Sequence, residues 1–190
     1  MFNGPIWLSD PKLDKLNQIL ETQSQLQLSY EASDLLTNNS SMKTTEYCMS
    51  VGTGLDAFEK AVLCLSQFAV HERAGFQVLK TSNSLEVNSC VLLKLSLFPF
   101  YITSVCRIEN IISSSNTFGF TYGTLPHHIE VGEELFLIEL TKTNNVLFKI
   151  KTISRPGNKF AILVKPYSNH LQLKFDNRYL LSMKELIARR

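Results

Sequence analysis

Four common catalytic signatures are missing from the 190 residues: there is no P-loop, no G-x-S-x-G elbow, no H-E-x-x-H helix and no EF-hand loop. Their absence removes the ready-made routes to nucleotide cradling, serine acylation, zinc hydrolysis and calcium sensing. A charge imbalance is lacking too. Nineteen Lys and Arg face 17 Asp and Glu, a net of +2, and the basic residues are scattered. Phosphate backbones need Lys and Arg gathered in one stripe, so no nucleic-acid partner is expected. No internal repeat of the kind that builds solenoids occurs.

Cysteine is sparse. Cys48, Cys64, Cys90 and Cys106 show no C-x-x-C pairing, which disfavours a zinc or redox motif, and all four fall in apolar periodic segments. They read as small buried hydrophobes in a reducing compartment rather than as disulfides. The opening MFNGPIWLSDPKLDK lacks a basic region followed by an apolar one, so no signal peptide is expected and a cytoplasmic location is the default. No long apolar run is present either. The nearest, CVLLKLSLFPFYITSVC at 90–106, contains Lys94 and Pro99 and falls short of the roughly 20 residues a spanning helix needs. Within it Val91, Leu93, Leu95 and Leu97 share one strand face, while Leu92, Lys94, Ser96 and Phe98 share the other. Two strands bent at Pro99 are expected, not a transmembrane segment.

What is present is a period-2 pattern enclosed by helical ones. Residues 1–44 read as a helical extension and linker: Asp10 as N-cap, Pro11 in the first turn, a face of Leu13, Leu16, Ile19 and Leu20, then the polar tract 37–45. Residues 45–190 read as a single α+β domain. A strand at 45–51 turns through Gly52-Thr53-Gly54 into a helix with Leu55, Phe58, Val62, Leu65 and Phe68 on one face. Strands follow near 75–80, 89–97, 100–109, 115–122, 133–142, 146–153 and 158–165, with a hairpin turn at Thr143-Asn144-Asn145. A last helix runs from about Ser168, after Pro166. Its stripe of Leu171, Phe175, Tyr179, Met183 and Ile187 has only the strands to pack on, and Arg189 and Arg190 suit its negative end. The expected architecture is a curved antiparallel β-sheet wrapped around a long C-terminal helix.

Two local patterns bear on chemistry. Gly52-Thr-Gly54-Leu-Asp-Ala57 matches the G-x-G-x-x-A dinucleotide fingerprint in strand-to-helix context, but the next strand, Phe76 to Lys80, offers no acidic residue for a ribose. Further βαβ units are also missing, so a tight turn is the expectation and no cofactor is implied. Residues 127–134 gather His127, His128, Glu130, Glu133 and Glu134. The other two histidines, His71 and His170, are remote in sequence, so a closed metal site would need ligands from elsewhere, and none is expected.

GFTYGTLPHHIEVGEELFLIEL at 119–140 is similar to the signature F-x-Y-G-T-L-P-G-H-x-x-x-G-E-E-x-F of a family known only as domain of unknown function 1990, the uncharacterised UPF0548-type proteins. VGTGLDAFEKA at 51–61, Val105-Cys-Arg-Ile108, Ser154-Arg-Pro156 and the Gln172 to Tyr179 region extend the resemblance over about residues 46–185. The matching signature positions are Tyr122, Gly123, Thr124, Leu125, Pro126, His128, Gly132, Glu133, Glu134 and Phe136, with Arg107 from the separate strand motif. His127 stands where the family usually has Gly. The order of elements also resembles the helix-grip fold of START and Bet v 1-type proteins, which implies an apolar-ligand pocket between sheet and helix. Folds of this kind host binders, cyclases and structural modules alike.

Three readings follow. The first is a domain binding a small hydrophobic ligand in the sheet–helix cavity, with Arg107, Tyr122, Thr124, His128, Glu133 and Glu134 as candidate ligand-binding residues. The second is an enzyme using His128 with Glu133 or Glu134 as an acid–base pair and Arg107 as an anion anchor. The third is an interaction module whose cavity is filled by its own side chains. Gly123 and Gly132 are expected to accept positive φ in the signature turn, with Pro126 as its corner.

Overall fold

The computed structural model describes residues 5–31, 42–157 and 165–188, the last segment with side chains from 177 onward. Its elements are β1 (Ile6–Trp7), α1 (Leu13–Ser24), β2 (Lys43–Thr53), α2 (Gly54–Ser66), α3 (Ala69–Arg73), β3 (Phe76–Lys80), β4 (Cys90–Leu97), β5 (Phe100–Ser113), β6 (Thr117–Thr124), β7 (Glu130–Leu140), β8 (Asn145–Pro156) and α4 (Lys165–Ala188). The strands form one sheet in the order β2-β8-β7-β6-β5-β4-β3, with β1 added to β5. Every pairing is antiparallel. The chain is thus α+β, a large antiparallel sheet with few helices.

Strand alternation sorts the side chains onto two faces with different covers. On the inner face Phe120, Phe136, Ile138, Phe148 and Ile150 pack with Ala57, Ala61 and Leu65 of α2, Val70 of α3, and Tyr179, Leu180 and Met183 of α4. On the outer face Leu16, Ile19 and Leu20 of α1 cover Cys90, Leu92, Val105 and Leu125. Burying each such side chain is worth about 1.5–3 kcal/mol. Because both faces of β4 are covered, its run of buried residues from Cys90 to Leu93 is continuous instead of alternating.

The boundaries differ from the sequence expectation where side chains found other partners. Asp10 does not cap α1; the N-cap is Lys12, and Asp10 instead pairs with Lys94 Nζ at 2.6 Å. Leu55 is 56% exposed, so the α2 face is set by Ala57, Phe58, Ala61 and Leu65. Cys48 is exposed and Cys64 half-buried, leaving Cys90 and Cys106 as the buried thiols; all four are free. The last helix starts at Lys165, so Pro166 lies in its first turn. Proline is tolerated there because its missing N–H has no intrahelical acceptor. Expected strand residues 158–164 and the termini Arg189 and Arg190 lie outside the described residues, as do the side chains of Leu171 and Phe175. Tyr179, Leu180 and Met183 are buried, while Ile187 and Leu186 pack at the margin.

Gly52-Thr53-Gly54 makes the tight strand-to-helix turn, and the Gly54 N–H donates to the Asn144 carbonyl at 2.9 Å. No helix among the described residues is long and apolar enough to cross a membrane.

Candidate functional site

The signature stretch spans the end of β6, the loop 125–129 and the start of β7. Two of its glycines are required for different reasons. Gly132 sits at φ 146°, and a Cβ there would collide with the backbone of Ile153 and Ser154. Gly123 does not adopt positive φ. It is needed because Tyr30 and Leu28 press against its α-carbon, leaving no room for a side chain. Thr124 ties the loop together: its Oγ1 accepts from the Gly132 N–H at 3.0 Å and shares a hydrogen bond with Ser29 Oγ at 2.6 Å.

Both loop histidines are engaged. The Thr103 hydroxyl accepts from Trp7 Nε1 at 2.9 Å and lies 2.8 Å from His127 Nε2, an arrangement that suits a neutral imidazole accepting the hydroxyl's hydrogen bond. The His127 N–H donates to Gln23 Oε1 at 2.8 Å, fastening the loop to α1. His128 Nδ1 lies 2.9 Å from the Glu130 N–H, which donates to it within the loop. Burial lowers both rings to about 4, with Lys15 adding to the effect at His127 and His127 adding to it at His128. Glu130 accepts from Ser154 Oγ at 3.1 Å, and burial raises its pKa.

The remaining candidates divide between the faces. Tyr122, Glu134 and Thr152 are directly opposite one another across β6, β7 and β8. They form an inner-face row in which the Tyr122 hydroxyl donates to Glu134 Oε2 at 2.7 Å and the Thr152 hydroxyl to Glu134 Oε1 at 3.1 Å. Burial first, then the Glu134 charge, pushes the Tyr122 phenol well up, so it stays a donor at neutral pH. Arg107 and Glu133 are on the outer face. Arg107 donates to the Ser24 and Leu26 carbonyls at 3.0 and 2.6 Å, completing the C-terminal end of α1. Glu133 accepts from the Tyr30 hydroxyl at 3.3 Å. Glu109, raised by burial and by Glu133 despite Arg107, has one buried carboxylate oxygen without a hydrogen-bond partner among the described residues. Tyr122 and Arg107 therefore do not converge on one pocket; the sheet lies between them.

One residue of the inner face had no sequence signal as a site. His71 is fully buried on α3, and neither ring nitrogen has a hydrogen-bond partner among the described residues. Its ring lies 4.9 Å from Phe136, 5.0 Å from Phe68 and Tyr179, and 6.2 Å from Tyr122, centroid to centroid. Desolvation lowers its pKa to about 3. Among the described residues, no group of three or more His, Cys, Asp or Glu is placed to hold a metal ion.

Comparison with known proteins places this geometry in a wider setting. The chain is similar to a UPF0548 protein of Dictyostelium discoideum, 28% identical over 67% of this chain and 64% of the relative. It is 33% identical to a UPF0548 protein of Deinococcus radiodurans over 38% of this chain and 37% of that one. In both, the matched part spans less than two thirds of the relative's length. Among solved structures it is similar to hypothetical protein jhp0584 of Helicobacter pylori, with TM-score 0.59 and 10% identity over 85% of this chain and 96% of that one. It is also similar to the di-domain ARO/CYC BexL (0.56, 10%, 83% and 54%) and to Ara h 8.0201 (0.53, 11%, 77% and 97%). At these identities the likeness is one of fold, and it fits the START and Bet v 1-type order of elements. A family model described as Domain of unknown function (DUF1990) matches residues 30–182. With the signature loop, the strand motif around Arg107 and the core of α2 all inside that span, the chain belongs to the DUF1990 family.

Proposed function

We propose that the protein is a binding domain for a small, largely apolar molecule held on the inner face, with the sheet curving around α4 to enclose it. The observation that carries this reading is the Tyr122–Glu134–Thr152 row, a half-buried, hydrogen-bonded carboxylate beside an aromatic wall. A mostly apolar surface with a few convergent polar groups is the usual character of a small-molecule site. Thr124 and Gly132 flank the 125–129 loop that contains His128, and their hydrogen bonds, with that of His128, hold its backbone. Arg107 and Glu133 fasten the N-terminal segment to the opposite face and do not contribute to the site.

An acid–base enzyme finds less support in the geometry. His128 Nδ1 is taken up by the Glu130 backbone, and Glu133 is separated from Glu134 by the thickness of the sheet.

The test is a ligand-library thermal-shift screen followed by native mass spectrometry of the hits. Glu134→Gln and Tyr122→Phe should weaken a hit tenfold or more, as loss of a hydrogen bond to a charged group worth about 1.5–3 kcal/mol implies. Arg107→Ala should leave its affinity unchanged. If Arg107→Ala abolishes binding and Glu134→Gln does not, the ligand sits on the outer face and the proposal is wrong.

A further inference from the structure

We infer that His71 is the polar anchor of that ligand, and that the ligand is a neutral, flat aromatic bearing a hydroxyl group; this rests on the inner-face binding reading above. The imidazole is wholly enclosed, yet both nitrogens lack partners among the described residues. A buried unpaired N–H or ring nitrogen costs stability that an apolar residue of similar size would not. Phe or Leu would fill the same space among Phe68, Phe120, Phe136 and Tyr179. A histidine there has a use only when something brings it a hydrogen-bonding group.

The chemistry of that group follows from the surroundings. A ring held neutral offers one donor and one acceptor, so it matches a group able to act as either, which a hydroxyl is. A carboxylate or phosphate would call for a charged imidazole, which the apolar enclosure opposes. The enclosure itself is made of aromatic rings at 4.9–6.4 Å from the imidazole, so a ligand that reaches its nitrogens must take the place of one of them, and a flat aromatic body is the replacement that keeps the ring contacts. Tyr122 links this cage to the polar row, since its ring is among those around His71 and its hydroxyl is bonded to Glu134. One ligand can thus reach both.

The way in is through Phe68. It forms one wall of the cage and joins α2 to α3 at φ 63°, a left-handed conformation that a bulky side chain adopts under strain. Rotation at this joint would move Phe68 and the five-residue α3 together, which is what entry to the cage requires.

A matched pair of probes tests the inference: 2-naphthol and naphthalene, which differ by one hydroxyl. Titrated into the full chain, 2-naphthol should bind at least tenfold more tightly than naphthalene, and in His71→Phe the two should bind equally. Imidazole ¹⁵N spectra of the wild-type protein supply a readout that does not depend on the variant's folding. The His71 nitrogens should shift with 2-naphthol and not with naphthalene. Equal affinities in the wild type with unmoved His71 signals would overturn the anchor role, leaving a bound water or the bare cage as the environment of the ring. Binding of both probes, sensitive to Glu134→Gln but not to His71→Phe, would overturn it while preserving the inner-face site. Binding of neither probe, with no hit from the screen, would remove both readings together.

Discussion

Lowering the pH should unfold this protein through His71, and the size of the effect can be worked out from its enclosure. The folded pKa is about 3, below the ordinary value of 6.5, so between those values the unfolded chain binds a proton that the folded chain refuses. Stability from this group is therefore complete above about pH 6.5 and is lost as the pH falls toward 3. At pH 5 the loss relative to pH 7 is about 2 kcal/mol, from RT ln(1 + 10^(6.5 − pH)) at the two values. The perturbation is His71→Leu, which keeps an apolar side chain of similar bulk and removes the titration. Urea unfolding of both proteins at pH 7 and pH 5 gives the difference in stability at each. The variant's advantage should grow by about 2 kcal/mol on going to pH 5. His127 and His128 contribute in the same direction, while Glu109 and Glu130, raised by burial, act oppositely: their stabilisation is present below the unfolded value and lost as pH rises through the folded one. Those terms are common to both proteins and cancel. A difference constant within about 0.5 kcal/mol between the two pH values would mean that the folded ring takes up its proton freely, and the sealed cage would be refuted.

Gly132→Ala should destabilise the fold by more than about 2 kcal/mol in chemical denaturation, because its φ of 146° and the Ile153 carbonyl beneath it both exclude a Cβ; a loss under about 0.5 kcal/mol would contradict that. Met183→Ala should cost about 2–5 kcal/mol, since this side chain is fully enclosed between α4 and the sheet. Behaviour like that of a surface substitution would argue against a gripping helix. Arg107→Ala removes two hydrogen bonds to the end of α1, and amide exchange over residues 24–30 should speed up well beyond any change in the β7–β8 ladder. Uniform acceleration throughout would instead show Arg107 to be part of the global core.

The order of elements was legible because alternation survives wherever one face is buried and the other is not, as in β7 and β8. The outer-face cover was harder to see. Leu16, Ile19 and Leu20 announce an amphipathic helix, but nothing in residues 13–24 says which surface it meets; that depends on Leu92, Val105 and Leu125 much later in the chain. Glu133 and Glu134 carried more information than their shared motif suggests. Neighbours in a strand point to opposite faces, so one of them had to leave any common pocket. His71 was silent because α3 is only five residues long, too short for a period to register, and its burial depends on rings from β6, β7 and α4. The capping role expected of Asp10 failed against a longer-range competitor, the ammonium group of Lys94.

The docking of the N-terminal segment has a consequence for synthesis on the ribosome. Trp7 bonds to Thr103, 96 residues on, and the apolar face of α1 is covered only when Leu92, Val105 and Leu125 have been made. At about 5–20 residues per second, that face waits on the order of 5–20 s in water with its eventual cover not yet translated. A segment made well before its cover is therefore among the last to settle, and a nascent chain halted before β5 would display Leu16, Ile19 and Leu20 to any chaperone that binds exposed apolar helices.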